Sequence, residues 1–399
     1  MSVTASVAPS ATLSYQWYSN STGDAQVSVS TAVGANTANY STGALTAGTH
    51  YFFVVVSAPD AASVTSSVSR IDVGTVTDVT AGDATALQNA LTAANNTTIT
   101  RIRLSGNITQ TGTFTLNTSG ARVILEPQTG NRSLTKSGQG RLFNITNGTL
   151  VIRGNGSNQL NLIGNSGNNA SLIHLDGGTL FMEAGAAITG NTVTSPTTPV
   201  EDSAGVCISS GTFTMNGGEI SNNIYQNGSG GGVTVRSGTA SFVMNGGTIS
   251  GNRSNGSTGS NGEGGGIAMY NGGASGIIIN GGVIENNLST QEGGGIWYNS
   301  GTVTINGGII TGNRAYTNGG GIFSDTGATF IKNGGTITGY LSGNNTANNI
   351  AQDAAGTIHL NQGHAVFRRV NPQSQRRETT AGPGINMNSA TLGAAGGWE

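Results

Sequence analysis

The feature that most limits what this chain can become is a recurring Asn-Gly-Gly at Asn216, Asn245, Asn280, Asn306 and Asn333, at intervals of 29, 35, 26 and 27 residues. A glycine triplet travels with it, beginning at Gly230, Gly264, Gly293 and Gly319. Looser echoes, Asp176-Gly-Gly and Asn147-Gly-Thr, carry the period back toward residue 100. A period of this size means that each repeat is one supersecondary unit that buries its apolar face against its neighbours.

Aligned on that asparagine, the apolar residues fall into columns. Three residues before it stand Phe213, Phe242, Ile277, Val303 and Phe330; one before stand Met215, Met244, Ile279, Ile305 and, as an exception, Lys332. Four after stand Ile220, Ile249, Ile284, Ile310 and Ile337. Behind the triplets come Val233, Ile267, Ile296 and Ile322, with Val235, Met269 and Tyr298 two places on. Each repeat is thus three short stretches of period two, the spacing of strands rather than of a helix. The fold class predicted is all-β: a parallel β-helix with about 27 residues and three strands per coil, its coils stacked at about 4.8 Å.

The glycines suit corners that need positive φ. Asparagine is the next most tolerant residue there, and identical stacked carboxamides can hydrogen-bond up a ladder. Asn216, Asn245, Asn280, Asn306 and Asn333 are therefore read as structural, as is a second series, Asn223, Asn252, Asn287 and Asn313, seven residues behind the first.

Composition narrows the function classes. Of 399 residues 66 are Gly and only 9% are charged, with a formal net charge of −2. That leaves no basic field for nucleic acid. A single cysteine, Cys207, excludes an internal disulfide and a cysteine-based zinc cluster. No apolar run is long enough for a membrane-spanning helix. The first residues, Met1-Ser-Val-Thr-Ala-Ser-Val, have no charged region or apolar core of a secretion signal. A surface of Asn, Ser, Thr and Gly is more usual outside the cell. The expectation is an extracellular or cell-surface protein, this chain being the mature part of something longer.

Three regions are predicted: a β-sandwich over 1–75, the β-helix over 76–365 opening with a capping helix near 84–94, and a tail or cap over 366–399. In the helix Leu87, Ala90, Leu91 and Ala94 lie at helical spacing. The first region alternates in short apolar runs, with Trp17 as its core aromatic. Tyr15-Gln-Trp-Tyr18, Ala47-Gly-Thr-His-Tyr51 and Val54-Val-Val56 resemble a bacterial immunoglobulin-like module. Measured against that resemblance a first strand is missing, which would leave an open edge.

The Asn-Gly-Gly-x-Ile and Gly-Gly-Gly-Ile segments resemble the right-handed parallel β-helices of bacterial surface proteins: a pectin-lyase-like superfold with adhesin-like and polymorphic outer-membrane-type repeats. The resemblance covers about 76 to 365 and speaks for fold more than activity. Sugar-cleaving members of this superfold carry Asn-Thr-Asp, Asp-Asp and Gly-His-Gly; this chain has Asn345-Thr-Ala and Gly363-His-Ala and no Asp-Asp pair.

Five sets of candidates for ligand chemistry follow. Glu263 and Glu292 each precede a glycine triplet, so adjacent coils should stack them about 5 Å apart. That spacing suits a retaining glycosidase pair or a calcium site; Ser229 and Asn318 in the same column suit a solvated surface instead. Trp297 and Phe323, one step behind the triplet isoleucine, should point outward on adjacent coils, either to grip a sugar face or a partner's apolar patch or to lie under the tail. Two insertions, Thr192 to Ala204 with Glu201 and Asp202, and Arg253 to Gly262, leave from the same corner. His50, His174, His359 and His364 have no metal spacing, and Arg368, Arg369, Arg376 and Arg377 gather in the tail.

The function expected is a non-catalytic surface protein, adhesin-like or a structural stalk, meeting a glycan or a surface protein of a host or neighbouring cell. No cofactor is expected beyond calcium at the glutamates. The alternatives are a carbohydrate-active β-helix enzyme using Glu263 and Glu292, and a filament subunit that self-associates through rod ends or the open sandwich edge.

Overall fold

A computed structural model describes residues 1, 3, 5, 11–21, 25–59, 63–66, 68–194, 203–256, 262–270, 276–340, 348–358 and 363–369, and the backbone of 385–387. The chain is nearly all β, with 4% helix, and most of it is a parallel β-solenoid of about seven turns. Strands from successive turns pair in parallel in three sheets of eighteen, nine and six strands. The eighteen-stranded sheet holds two columns, as where Val233–Val235 and Ala240–Met244 follow one another in a single turn.

Register is set by the interior. Phe213 pairs with Phe242, Phe242 with Ile277, Ile277 with Val303 and Val303 with Phe330. Ile220, Ile249, Ile284, Ile310 and Ile337 align likewise in the nine-stranded sheet. These side chains are buried, except for the half-buried Ile337 at the last rung. A slip of one residue would send a whole apolar column to solvent, so the pairing is strongly specified. Lys332, which breaks the methionine and isoleucine column, is nonetheless buried, and burial lowers its pKa from the ordinary lysine range.

Two carboxamide ladders run along the rod. Asn245, Asn280, Asn306 and Asn333 each donate Nδ2 to Oδ1 of the preceding member of the first series at 2.8–2.9 Å. The second ladder is wholly buried: Nδ2 of Asn223, Asn252, Asn287 and Asn313 donates to Oδ1 of the next asparagine at 2.9–3.0 Å, ending on Asn349. Positive φ falls on the residue before each of these, Asn222, Gly251, Asn286 and Gly312. These are the two residue types that tolerate it.

After the second ladder each turn lays down a short segment that the apolar columns did not reveal. Ile224–Gln226, Arg253–Asn255, Leu288–Ser289 and Arg314–Ala315 form part of the six-stranded sheet. Their aligned residues, Tyr225, Ser254, Ser289 and Ala315, are buried, but polar or small residues give no period-two signal.

At the first turn a helix, Ala84–Ala93, is capped by the Asp83 carboxylate accepting from Ala86 N at 2.8 Å. It lays Leu87, Ala90 and Leu91 over the open end of the core. At the other end the paired strands continue past residue 365. Val366–Arg368 pairs with Ile322–Ser324, and Ile385–Met387 pairs with Thr329–Lys332. Part of the expected tail is therefore solenoid.

The N-terminal region is a five-stranded antiparallel sheet: Ser14–Asn20, Thr31–Val33, Gly48–Ser57, Val64–Thr65 and Ser69–Val73. Trp17 is buried against Val54 and Val56, and Met1, Val3 and Tyr40 pack on the same face. The opposite face, with Tyr51, Phe53 and Val68, packs on outward residues of the solenoid, Ile99, Ile124, Val151 and Phe181. The Tyr51 ring stacks on Phe181 with centroids 5.9 Å apart, and the Arg70 guanidinium lies 4.3 Å over the same ring.

Candidate functional site

The corner before each glycine triplet carries the paired glutamates. The structure places Ser229, Glu263, Glu292 and Asn318 on consecutive turns there: Gly230, Gly264 and Gly293 each donate a backbone N–H to the carbonyl of the next residue in that column, at 3.0 Å. The two glutamates are thus brought together, but each is engaged differently. The Ser229 hydroxyl donates to Glu263. Glu292 accepts from Asn318 Nδ2 at 3.2 Å and from Arg369 at 2.7 Å. Arg369 also pairs with Asp325 at 3.2 Å and lies 4.9 Å over the Phe323 ring. Burial raises the pKa of Glu292, an effect that Arg369 opposes. Chemically this is a clasp holding the last turn to its predecessors. Among the described residues no group of three or more His, Cys, Asp or Glu is placed to hold a metal ion.

Trp297 and Phe323 do stack on adjacent turns, in a column Ala268, Trp297, Phe323, Phe367. They are not exposed, however: Trp297 is 7% and Phe323 0% accessible. The reason is the triplet's first glycine, and Gly363 in the equivalent place on the next turn, each of which folds back over the outward column. A Cβ on Gly293, Gly319 or Gly363 would stand 2.6–2.9 Å from the Cβ of Trp297, Phe323 or Phe367. Tyr270 leans on Trp297 at 5.0 Å, and Phe367, from the segment expected to be tail, stacks on Phe323 at 5.4 Å. Alternation fixes that a side chain points outward; it does not fix that nothing covers it. Glu201 and Asp202 lie outside the described residues, as do His359, Arg376 and Arg377.

Two of the histidines are buried. His364 is buried, accepting from Ala351 N at 2.9 Å. His174 is also buried, in the outward column with Asn144 and the fully buried Cys207.

Two surface features escaped the sequence reading. One is a column of alternating charge, Arg103, Glu126, Arg153 and Glu183, with contacts of 3.2, 2.8 and 3.8 Å. Its signal was present as opposite charges one coil apart. Glu126, Arg153 and Glu183 of this column line an open cleft of about 360 Å³ with Asn155 and neighbouring glycines. Burial raises the pKa of Glu183, while Arg70 and Arg153 oppose the rise. The other is a cleft of about 580 Å³ between the N-terminal sheet, at Ala25 and Ser63 to Thr65, and the Asn-Gly-Gly corners of Asn280, Asn306 and Asn333. No charged residue lines it, and Val64 and Ile309 are exposed at its sides. Comparison of the chain with family models, curated proteins and solved structures finds no match.

Proposed function

We propose that this protein is a stalk-like, adhesin-type surface protein of the bacterial exterior, an immunoglobulin-like module carried on a β-helical rod, whose main work is mechanical. The observation that carries this reading is the pair of carboxamide ladders threaded through turns whose interior columns are in register. Each turn is held to the next by sheet, core and side-chain bonds together. The engagement of Glu292 by Arg369 weighs against a glycosidase pair, because a carboxylate locked to a guanidinium is not free to move protons or to attack a sugar. A neutral partner, a glycan or an uncharged protein surface, suits the uncharged cleft beside Asn280, Asn306 and Asn333, and clefts between domains are common ligand sites.

The test is a glycan array and cell-surface panel with product analysis and negative-stain microscopy on the purified protein. The expected result is retention without released sugar, weakened by Val64→Glu and Ile309→Glu. Cleavage of a polysaccharide, lost in Glu263→Gln and Glu292→Gln, would replace the stalk reading with the hydrolase; fibres would favour the filament subunit.

A further inference from the structure

The outward column that becomes aromatic near Trp297 begins with polar residues, and two of them, Asn144 and His174, form a hydrogen-bonded chain with Ser209. Asn144, His174 and Cys207 lie on consecutive turns. His174 Nδ1 is 3.1 Å from Asn144 Oδ1, and its Nε2 is 2.8 Å from Ser209 Oγ. An amide oxygen only accepts, so Nδ1 carries the proton and Nε2 presents its lone pair to the serine hydroxyl. His174 is 7% accessible, whereas Ser209 is half-buried. Ser209 sits where register with the neighbouring strand breaks, between Ile208 and Ser210. The Ser237 hydroxyl fixes its carbonyl at 2.6 Å. On the next turn Arg236 stands alongside, donating its backbone N–H to Ile208 O at 2.9 Å.

A nucleophile in hydrogen-bond reach of a base, with the base held in the right tautomer by a third group, is the arrangement by which a hydroxyl is activated. We propose that Ser209 is a nucleophile activated by His174, with Asn144 as positioning residue, and that it hydrolyses small acyl esters. Ser209 Oγ attacks the carbonyl carbon as His174 Nε2 takes the hydroxyl proton. The bond to the alkoxy oxygen breaks, and the imidazolium returns that proton to the departing alcohol. Water, deprotonated by His174, then attacks the acyl-serine, releasing the carboxylic acid and restoring the hydroxyl. This activity is independent of the stalk reading, which concerns other residues.

The experiment uses the whole protein with a fluorophosphonate probe and p-nitrophenyl acetate, and locates the adduct by peptide mass spectrometry. A single adduct on Ser209 is expected, with ester turnover lost in Ser209→Ala and reduced on the order of 10²–10⁴-fold in His174→Ala. In Cys207→Ala, which removes the buried thiol whose Sγ meets Ser209 Oγ at 4.0 Å, the adduct should still form on Ser209, separating serine labelling from thiol labelling. Asn144→Asp should keep or raise the rate and move the acidic limb of the pH–rate profile upward, which a merely structural hydrogen bond would not do. Melting curves establish that each variant is folded. A folded wild-type protein without an adduct on Ser209, labelling that survives His174→Ala unchanged, or labelling that follows Cys207 overturns the proposal.

Discussion

Asn252 and Asn287, 35 residues apart in sequence, are joined twice: the backbone N–H and the side-chain Nδ2 of Asn252 both donate to Oδ1 of Asn287, each at 3.0 Å. Asn252 also accepts both the N–H and the Nδ2 of Asn223 at its own Oδ1, and donates to Ile220 O at 2.8 Å. It is fully buried.

Replacing this residue by leucine would strand polar groups on both neighbouring turns. An unsatisfied buried donor or acceptor costs about 1–3 kcal/mol, so Asn252→Leu should destabilise by about 3–5 kcal/mol in urea unfolding. Asn333→Ala removes only the exposed end of the other ladder and should cost under about 1 kcal/mol. Equal effects would mean that burial of the ladder is not what matters.

Among glycines of positive φ, space decides the cost of a methyl group. At Gly293, φ +68°, a Cβ would meet Ile296 O at 2.5 Å and Trp297 Cβ at 2.6 Å; at Gly327, φ +85°, it meets nothing within 4 Å. Gly327→Ala should cost only the conformational strain, on the order of 1 kcal/mol. Gly293→Ala should cost more than twice as much and uncover Trp297, measured as a red-shifted emission and a lower melting temperature.

The Glu292 pKa is raised in the folded protein, so above the ordinary value of 4.5 the native state keeps a proton that the unfolded chain has lost. Stability must therefore fall as pH rises from 4.5 through the raised value. Glu292→Gln should remove this residue's share of that fall, Glu183 keeping its own, and the gap in stability between variant and wild type should shift in the variant's favour as the pH rises. A gap independent of pH over this window would show that Arg369 fully offsets the burial.

Phe181 points out of the solenoid, is 5% accessible, and meets Tyr51 and Arg70 of the N-terminal sheet. Phe181→Ala should loosen that sheet from the rod while leaving the interior packed. Limited proteolysis is expected to cut faster near Gly74, with the melting of the rod nearly unchanged. Coupled loss of both would mean that the two regions unfold as one.

The sequence by itself determined the solenoid. Its interior columns repeat at one coil, so the pairing of Phe213, Phe242 and Ile277 was readable, and so were both asparagine ladders. Alternation within a strand decides which side a residue takes, because that is a property of the local backbone. Coverage of the outer face belongs to the tertiary structure alone. Trp297 and Phe323 pointed outward as read, yet the glycine loops and Phe367 bury them. The docking of the N-terminal sheet on Phe181, the locking of Glu292 by Arg369 across 77 residues and the meeting of Asn144, His174 and Ser209 had no local signal. Each depends on contacts between segments whose separation in sequence carries no preferred geometry until the coils have stacked.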